Sequence, residues 1–128
     1  MHALARVTCI FCDPEPSSVL LKDEHGYVRF DGYPVTPGHV LVIPRRHISS
    51  LFDLTDDEAR GLWHLVNKAK EAIDARYHPD GYNVGVNVGE AAGQTIGHLH
   101  IHVIPRYRGD MKDPKGGVRG VIPEKQRY

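Results

Sequence analysis

Gly97-His98-Leu99-His100-Ile101-His102-Val103-Ile104-Pro105 alternates imidazole with aliphatic side chains. In an extended chain, side chains two apart share a face, so His98, His100 and His102 line one side while Leu99, Ile101 and Val103 enter a core. The fold then anchors a row of histidines on one strand.

Upstream of this strand, Thr55-Asp56-Asp57-Glu58 matches a helix capping box, with acids at the positive end of the helix dipole. Leu62, Leu65, Val66, Ala69 and Ile73 recur at helical spacing until His78-Pro79-Asp80-Gly81 stops the pattern, which predicts an amphipathic helix of about 20 residues. Tyr82, Val84, Val86 and Val88 alternate with small or polar residues and read as a strand. Nearer the start, Val19 to Lys22 and Tyr27 to Asp31 flank Asp23-Glu24-His25-Gly26 and read as a hairpin. The apolar run His39 to Ile43, bounded by Pro44, suits a buried strand.

The 128 residues are 25% charged and 41% apolar, which suits one soluble globular domain, 1–128, with a cysteine pair at 9–12, a core over 19–105 and a tail over 106–128. Sixteen basic residues balance sixteen acidic ones, so no nucleic acid partner is expected. The tail is locally cationic, and Arg106, Arg108, Lys112, Lys115 and Arg119 could meet an anionic substrate, with a solvated terminus or a dimer strap as the alternative reading. No apolar run is long enough to cross a bilayer, and Met1 to Arg6 lacks the long apolar stretch of a secretory signal. The expectation is a cytoplasmic protein with no membrane partner.

Three chemistries could require a histidine row. Metal ligation fits poorly, because side chains at i, i+2 and i+4 of one strand do not converge on one ion. A functionless ladder on an exposed face is the bland alternative. Covalent catalysis, in which one imidazole attacks phosphorus while its neighbours orient it and handle protons or charge, accounts best for the pattern.

His98-Leu99-His100-Ile101-His102-Val103-Ile104 resembles the signature of the histidine triad (HIT) family. Cys9-Ile10-Phe11-Cys12, Pro37-Gly38-His39-Val40-Leu41-Val42-Ile43-Pro44 and Gly93-Gln94-Thr95 follow the family's order as well. The resemblance implies an α+β, HIT-like fold: an antiparallel sheet of about five strands with one long amphipathic helix and a short helix, paired as a homodimer. It also implies a purine nucleotide or dinucleoside polyphosphate beside the triad. By position His100 matches the nucleophile, which forms a nucleotidyl-histidine. His98 contributes a backbone carbonyl that fixes the tautomer of His100, and His102 and His39 face the phosphates. Gln94 and Thr95 match the polar segment beside the triad, Asn87 a position near phosphate and ribose, and Asp31 the residue that holds the ribose hydroxyls. Read without the resemblance, Asp31 is a turn residue before Gly32.

Cys9 and Cys12 have the C-x-x-C spacing for one tetrahedral Zn²⁺ and need two further ligands, or else they form a redox pair. In zinc-bearing members of the family the matching ligands are Cys9, Cys12, His47 and His98, holding a structural Zn²⁺. No organic cofactor is expected. The implied function is cleavage at the α-phosphate of a nucleotide, with diadenosine tetraphosphate favoured. Phosphoramidates or aminoacyl-adenylates are the alternative substrates, phosphate is an alternative acceptor to water, and a noncatalytic nucleotide-binding adaptor is the alternative of another class.

Overall fold

Val40–Pro44 is buried along its whole length, and the architecture is organised around it. The computed structural model describes residues 9–128; Met1 to Arg6, read above for the lack of a secretory signal, lies outside them. The strands are β1 (Val19–Lys22), β2 (Gly26–Phe30), β3 (Val40–Pro44), β4 (Gly81–Val86) and β5 (Ile101–Arg106). They form one antiparallel sheet in the order β1-β2-β3-β5-β4. The single α-helix among the described residues, α1, spans Asp56–Tyr77, and the remaining helical elements are short 3-10 turns. This is the α+β sheet-and-helix arrangement expected above.

α1 starts where the capping box places it. The Glu58 amide donates to Thr55 Oγ1 (3.1 Å) and the Thr55 amide to Glu58 Oε1 (2.9 Å), which satisfies two amides at the start of the helix. Leu62, Leu65, Val66, Ala69 and Ile73 pack on Val28, Val40, Val42, Leu99, Ile101 and Val103 and close the main core on one face of the sheet. A glycine inside α1 has a packing reason: a Cβ on Gly61 would lie 2.2 Å from Cγ of His25, so its absence lets the β1–β2 hairpin close on the helix.

The opposite face carries a smaller apolar cluster of Phe11, Tyr27, Leu41 and Ile43. β3 therefore alternates Val40 and Val42 toward the helix with Leu41 and Ile43 toward the other side, which is why it reads as an unbroken apolar run. Leu41 pairs with His102 across β5, so His102 stands on the face away from α1.

The histidine row departs from the expected single strand in one respect: ladder pairing begins only at Ile101. Pro44, at the end of β3, has no N–H to give, its carbonyl accepts from the His98 ring (2.9 Å), and the Leu99 amide donates instead to Ile48 (2.7 Å). His98 and His100 thus occupy a lead-in segment, while Leu99, Ile101 and Val103 still point into the core.

Candidate active site and metal centre

The helix-free face of the sheet carries a pocket of about 830 Å³, toward the upper end of the roughly 300–1,000 Å³ usual for small-molecule sites. β2 supplies Arg29, with Asp31 just beyond; β3 supplies Leu41, preceded by His39; β5 and its lead-in supply His100 and His102. Asn87 and Thr95 line the same pocket.

Backbone geometry sets the protons on its histidines. His100 Nδ1–H donates to the carbonyl of His98 (2.9 Å), so its lone pair is on Nε2. His39 is almost fully buried, and its Nδ1 accepts the Val35 amide (3.0 Å), which places the proton on Nε2. That Nε2–H reaches His102 Nδ1 (3.0 Å), with Asp31 Oδ2 at 3.4 Å. His102 therefore accepts at Nδ1 and keeps its own proton on Nε2. Burial is the main cause that holds the pKa values of His39 and His102 below the usual imidazole range; for His102 the neighbouring His100 and His39 push in the same direction, and Asp31 opposes the shift in both.

The Asp31, His39 and His102 ligand atoms lie close enough to suggest a cation site. Tautomer chemistry argues against it: His39 could ligate through Nε2 only by moving its proton to Nδ1, where the Val35 N–H already points. The loop carrying Val35 is held to β5 and the segment after it by Thr36 Oγ1–H on the Pro105 carbonyl (2.5 Å) and the Tyr107 hydroxyl on the Pro37 carbonyl (2.6 Å).

Asp31 combines its two readings. Oδ1 accepts the Tyr33 amide (2.8 Å) as a turn residue would, and Oδ2 faces the histidines. Gln94 departs from its expected place at the phosphate. Its Oε1 accepts the Gly89 amide (2.9 Å) and its Nε2 donates to the carbonyls of Ser49 (3.0 Å) and Ile96 (3.1 Å), so the side chain braces the loop and does not face the pocket.

The cations of the tail that the structure pairs are engaged locally. Arg106 is gripped by Asp110 (2.8 Å to each oxygen) and Asn83 (2.6 Å), and Lys115 and Arg119 stack on Tyr128. The tail meets the pocket through Val118 and Val121, not through its cations. Sequence reading missed Arg29, which lines the pocket. It stands two residues from Asp31 on an alternating strand, and that spacing was the signal available.

Cys9, Cys12, His47 and His98 bring one ligand atom each into a cluster beside the pocket. His98 donates Nε2–H to the Pro44 carbonyl (2.9 Å), which leaves Nδ1 unprotonated and directed at Cys9 Sγ and Cys12 Sγ (3.4 Å each) and His47 Nδ1 (3.2 Å). His47 Nδ1 lies 3.0 Å from Cys12 Sγ and 3.4 Å from Cys9 Sγ. Zinc bonds of about 2.0–2.3 Å give tetrahedral edges of about 3.3–3.8 Å, so these separations of 3.0–3.4 Å stand within about half an ångström of a zinc shell. The Cys12 amide donates to Cys9 Sγ (3.3 Å), and the Pro44 carbonyl orients His98 as an outer partner should. Donor set and geometry both fit Zn²⁺.

Residues 14–109 match the HIT domain family. The AP-4-A phosphorylase of Mycobacterium tuberculosis is 43% identical over 100 residues, which are 70% of this chain but 51% of the relative, so the chain spans about half the phosphorylase's length. Among solved structures, a HIT family member from Bacillus subtilis is 38% identical, with 92% of this chain and 89% of that chain covered and a TM-score of 0.75. A zinc-bound histidine triad family protein from Mycobacterium smegmatis is 34% identical, with 84% and 81% covered and a TM-score of 0.75. With the histidine row, the sheet and the match all in agreement, the chain belongs to the HIT family.

Proposed function

We propose that the protein cleaves purine nucleotide substrates at the α-phosphate through a covalent intermediate on His100, with dinucleoside polyphosphates as the favoured class. The observation that carries the reading is the His100 Nδ1–H bond to the His98 carbonyl (2.9 Å). It holds the lone pair on Nε2 and continues to stabilise the ring once that nitrogen has formed a bond and the imidazole is cationic. In the first step Nε2 bonds to the α-phosphorus and the bond from phosphorus to the leaving phosphate oxygen breaks. His102, kept as a neutral Nε2–H donor by His39, stabilises charge on the transferring group. In the second step water adds to phosphorus and gives up a proton to the medium, the P–N bond breaks with its electron pair returning to Nε2, and a nucleoside monophosphate leaves with His100 restored to its neutral form. Asp31 holds the ribose, and Asn87 and Thr95 flank the phosphate path.

We infer further that Cys9, Cys12, His47 and His98 hold a structural Zn²⁺, which the zinc-bound relative supports. It ties the cysteine turn to the lead-in of the catalytic strand and takes no part in bond breaking. The family resemblance also carries a homodimer, which sedimentation tests. A second acceptor is favoured by the AP-4-A phosphorylase relative: inorganic phosphate in place of water, which yields a nucleoside diphosphate.

The test is intact-protein mass spectrometry after acid quench with dinucleoside tetraphosphates, wild type against His100→Ala, with products separated in the presence and absence of phosphate. An adduct in the wild type alone supports the reading. Tight binding with no adduct and no turnover, on phosphoramidates as well, would replace it with a noncatalytic adaptor.

A further inference from the structure

We infer that Arg29 reads the base of the bound nucleotide and makes the site prefer guanine to adenine. The inference rests on the nucleotide reading above and deepens it. Tyr27, Arg29 and Asp31 alternate onto the site face of β2 and its extension. Strand register puts Arg29 opposite Leu41, and Leu41 opposite His102, so Arg29 stands two strands, or about 10 Å, from the histidine row. A nucleotide with its α-phosphate at His100 and His102 and its ribose at Asp31 must project its base toward this side of the pocket.

The wall there is apolar, with Ile10 exposed to a purine and Phe11 buried behind it, and Arg29 is the one lysine or arginine among the described residues that line the pocket. Its guanidinium is already oriented: the carbon lies 5.8 Å from the Phe11 ring centroid, and Nε donates to the Phe30 carbonyl (3.2 Å). The terminal nitrogens remain as a planar pair of donors. Guanine offers two acceptors side by side, O6 and N7, which such a fork meets with two hydrogen bonds. Adenine offers N7 beside the N6 amino group, so one arginine donor faces another donor. Discrimination comes from that mismatch more than from the strength of the guanine contact.

The experiment is calorimetric titration of the full chain with GMP and AMP, for the wild type, Arg29→Ala and Arg29→Lys, beside competition of GTP and ATP analogues for the pocket. The expected result is GMP binding at least tenfold tighter than AMP, with the ratio falling to near one in Arg29→Ala and only partly restored by lysine, which cannot present a fork. Equal affinities in the wild type, or a ratio that survives Arg29→Ala, overturn the assignment to the base. An equal loss for both nucleotides in Arg29→Ala would move Arg29 to a phosphate contact and overturn it too. Failure of the wild type to bind either nucleotide would instead refute the nucleotide reading itself, and this inference with it.

Discussion

Replacing His39 by leucine removes two hydrogen bonds from the middle of the site while leaving its volume nearly filled. The Val35 amide donates to Nδ1 at 3.0 Å and Nε2–H donates to His102 Nδ1 at 3.0 Å. At about 1 kcal/mol net for each bond, and more where a donor is left unmade, the variant loses about 2–3 kcal/mol of stability. The telling effect falls on His102. A donor at its Nδ1 favours the neutral ring, and burial pushes the same way. Without His39, Nδ1 faces Asp31 Oδ2 at 3.9 Å, and the carboxylate favours the imidazolium. The pKa of His102 therefore rises in His39→Leu, and its charged form persists to higher pH than in the wild type. His39→Gln can keep a donor on His102 while losing the Val35 contact, so it should lose less stability than leucine, about 1 kcal/mol for the one bond, and stay close to the wild type in the titration of His102. The assay is NMR titration of ¹⁵N-histidine rings in the three proteins, paired with thermal unfolding. If His102 titrates at the same pH in all three, or if glutamine behaves as leucine does, the chain of tautomers from Val35 to His102 is refuted.

Cys12→Ala should reduce bound zinc, read by elemental mass spectrometry, and lower the Tm by an amount that a chelator reproduces in the wild type; a chelator without effect on the wild type would remove zinc from the account. Gly61→Ala should cost about 1–3 kcal/mol in urea unfolding despite alanine's better helix propensity, because its Cβ meets the His25 ring, and His25→Ala should recover part of the loss. Glu58 is held down at about 2 by hydrogen bonds from Arg46 and Thr55. Its folded pKa lies below its unfolded value of about 4.3, so its contribution is complete above that pH and is lost as pH falls toward 2. The Tm difference between wild type and Glu58→Gln should shrink across that window, and a difference that stays constant would sink the assignment.

Most of what positions the site was legible because it depends on period. The two-residue repeat of His98 to Val103 gave the polar and core faces, the 3.6-residue repeat gave α1, and the capping box gave its first turn. These patterns survive folding because burial of one face enforces them. What a loop side chain binds has no such guard. Gln94 carries the donors and acceptor a phosphate site needs, yet Gly89, Ser49 and Ile96 present backbone groups to the same amide first. Only the path of the chain could reveal that competition.

The tail makes the same point with a wider consequence. Seven cations after Pro105 suggested an anion-binding arm, but the local sequence supplies Asp110 four residues from Arg106 and lets Asp113 meet Arg127 at 3.2 Å. Charges near one another in the chain neutralise one another at little entropic cost, so a count of cations says little about what they touch. A single cation that shares strand periodicity with a pocket-lining residue carries more information. Arg29, two positions before Asp31, has its backbone fixed by β2 and its guanidinium held by Phe11 and the Phe30 carbonyl, so its place in the pocket wall follows from strand register. The net charge of zero hid it, because what places an arginine in a pocket wall is register and not number.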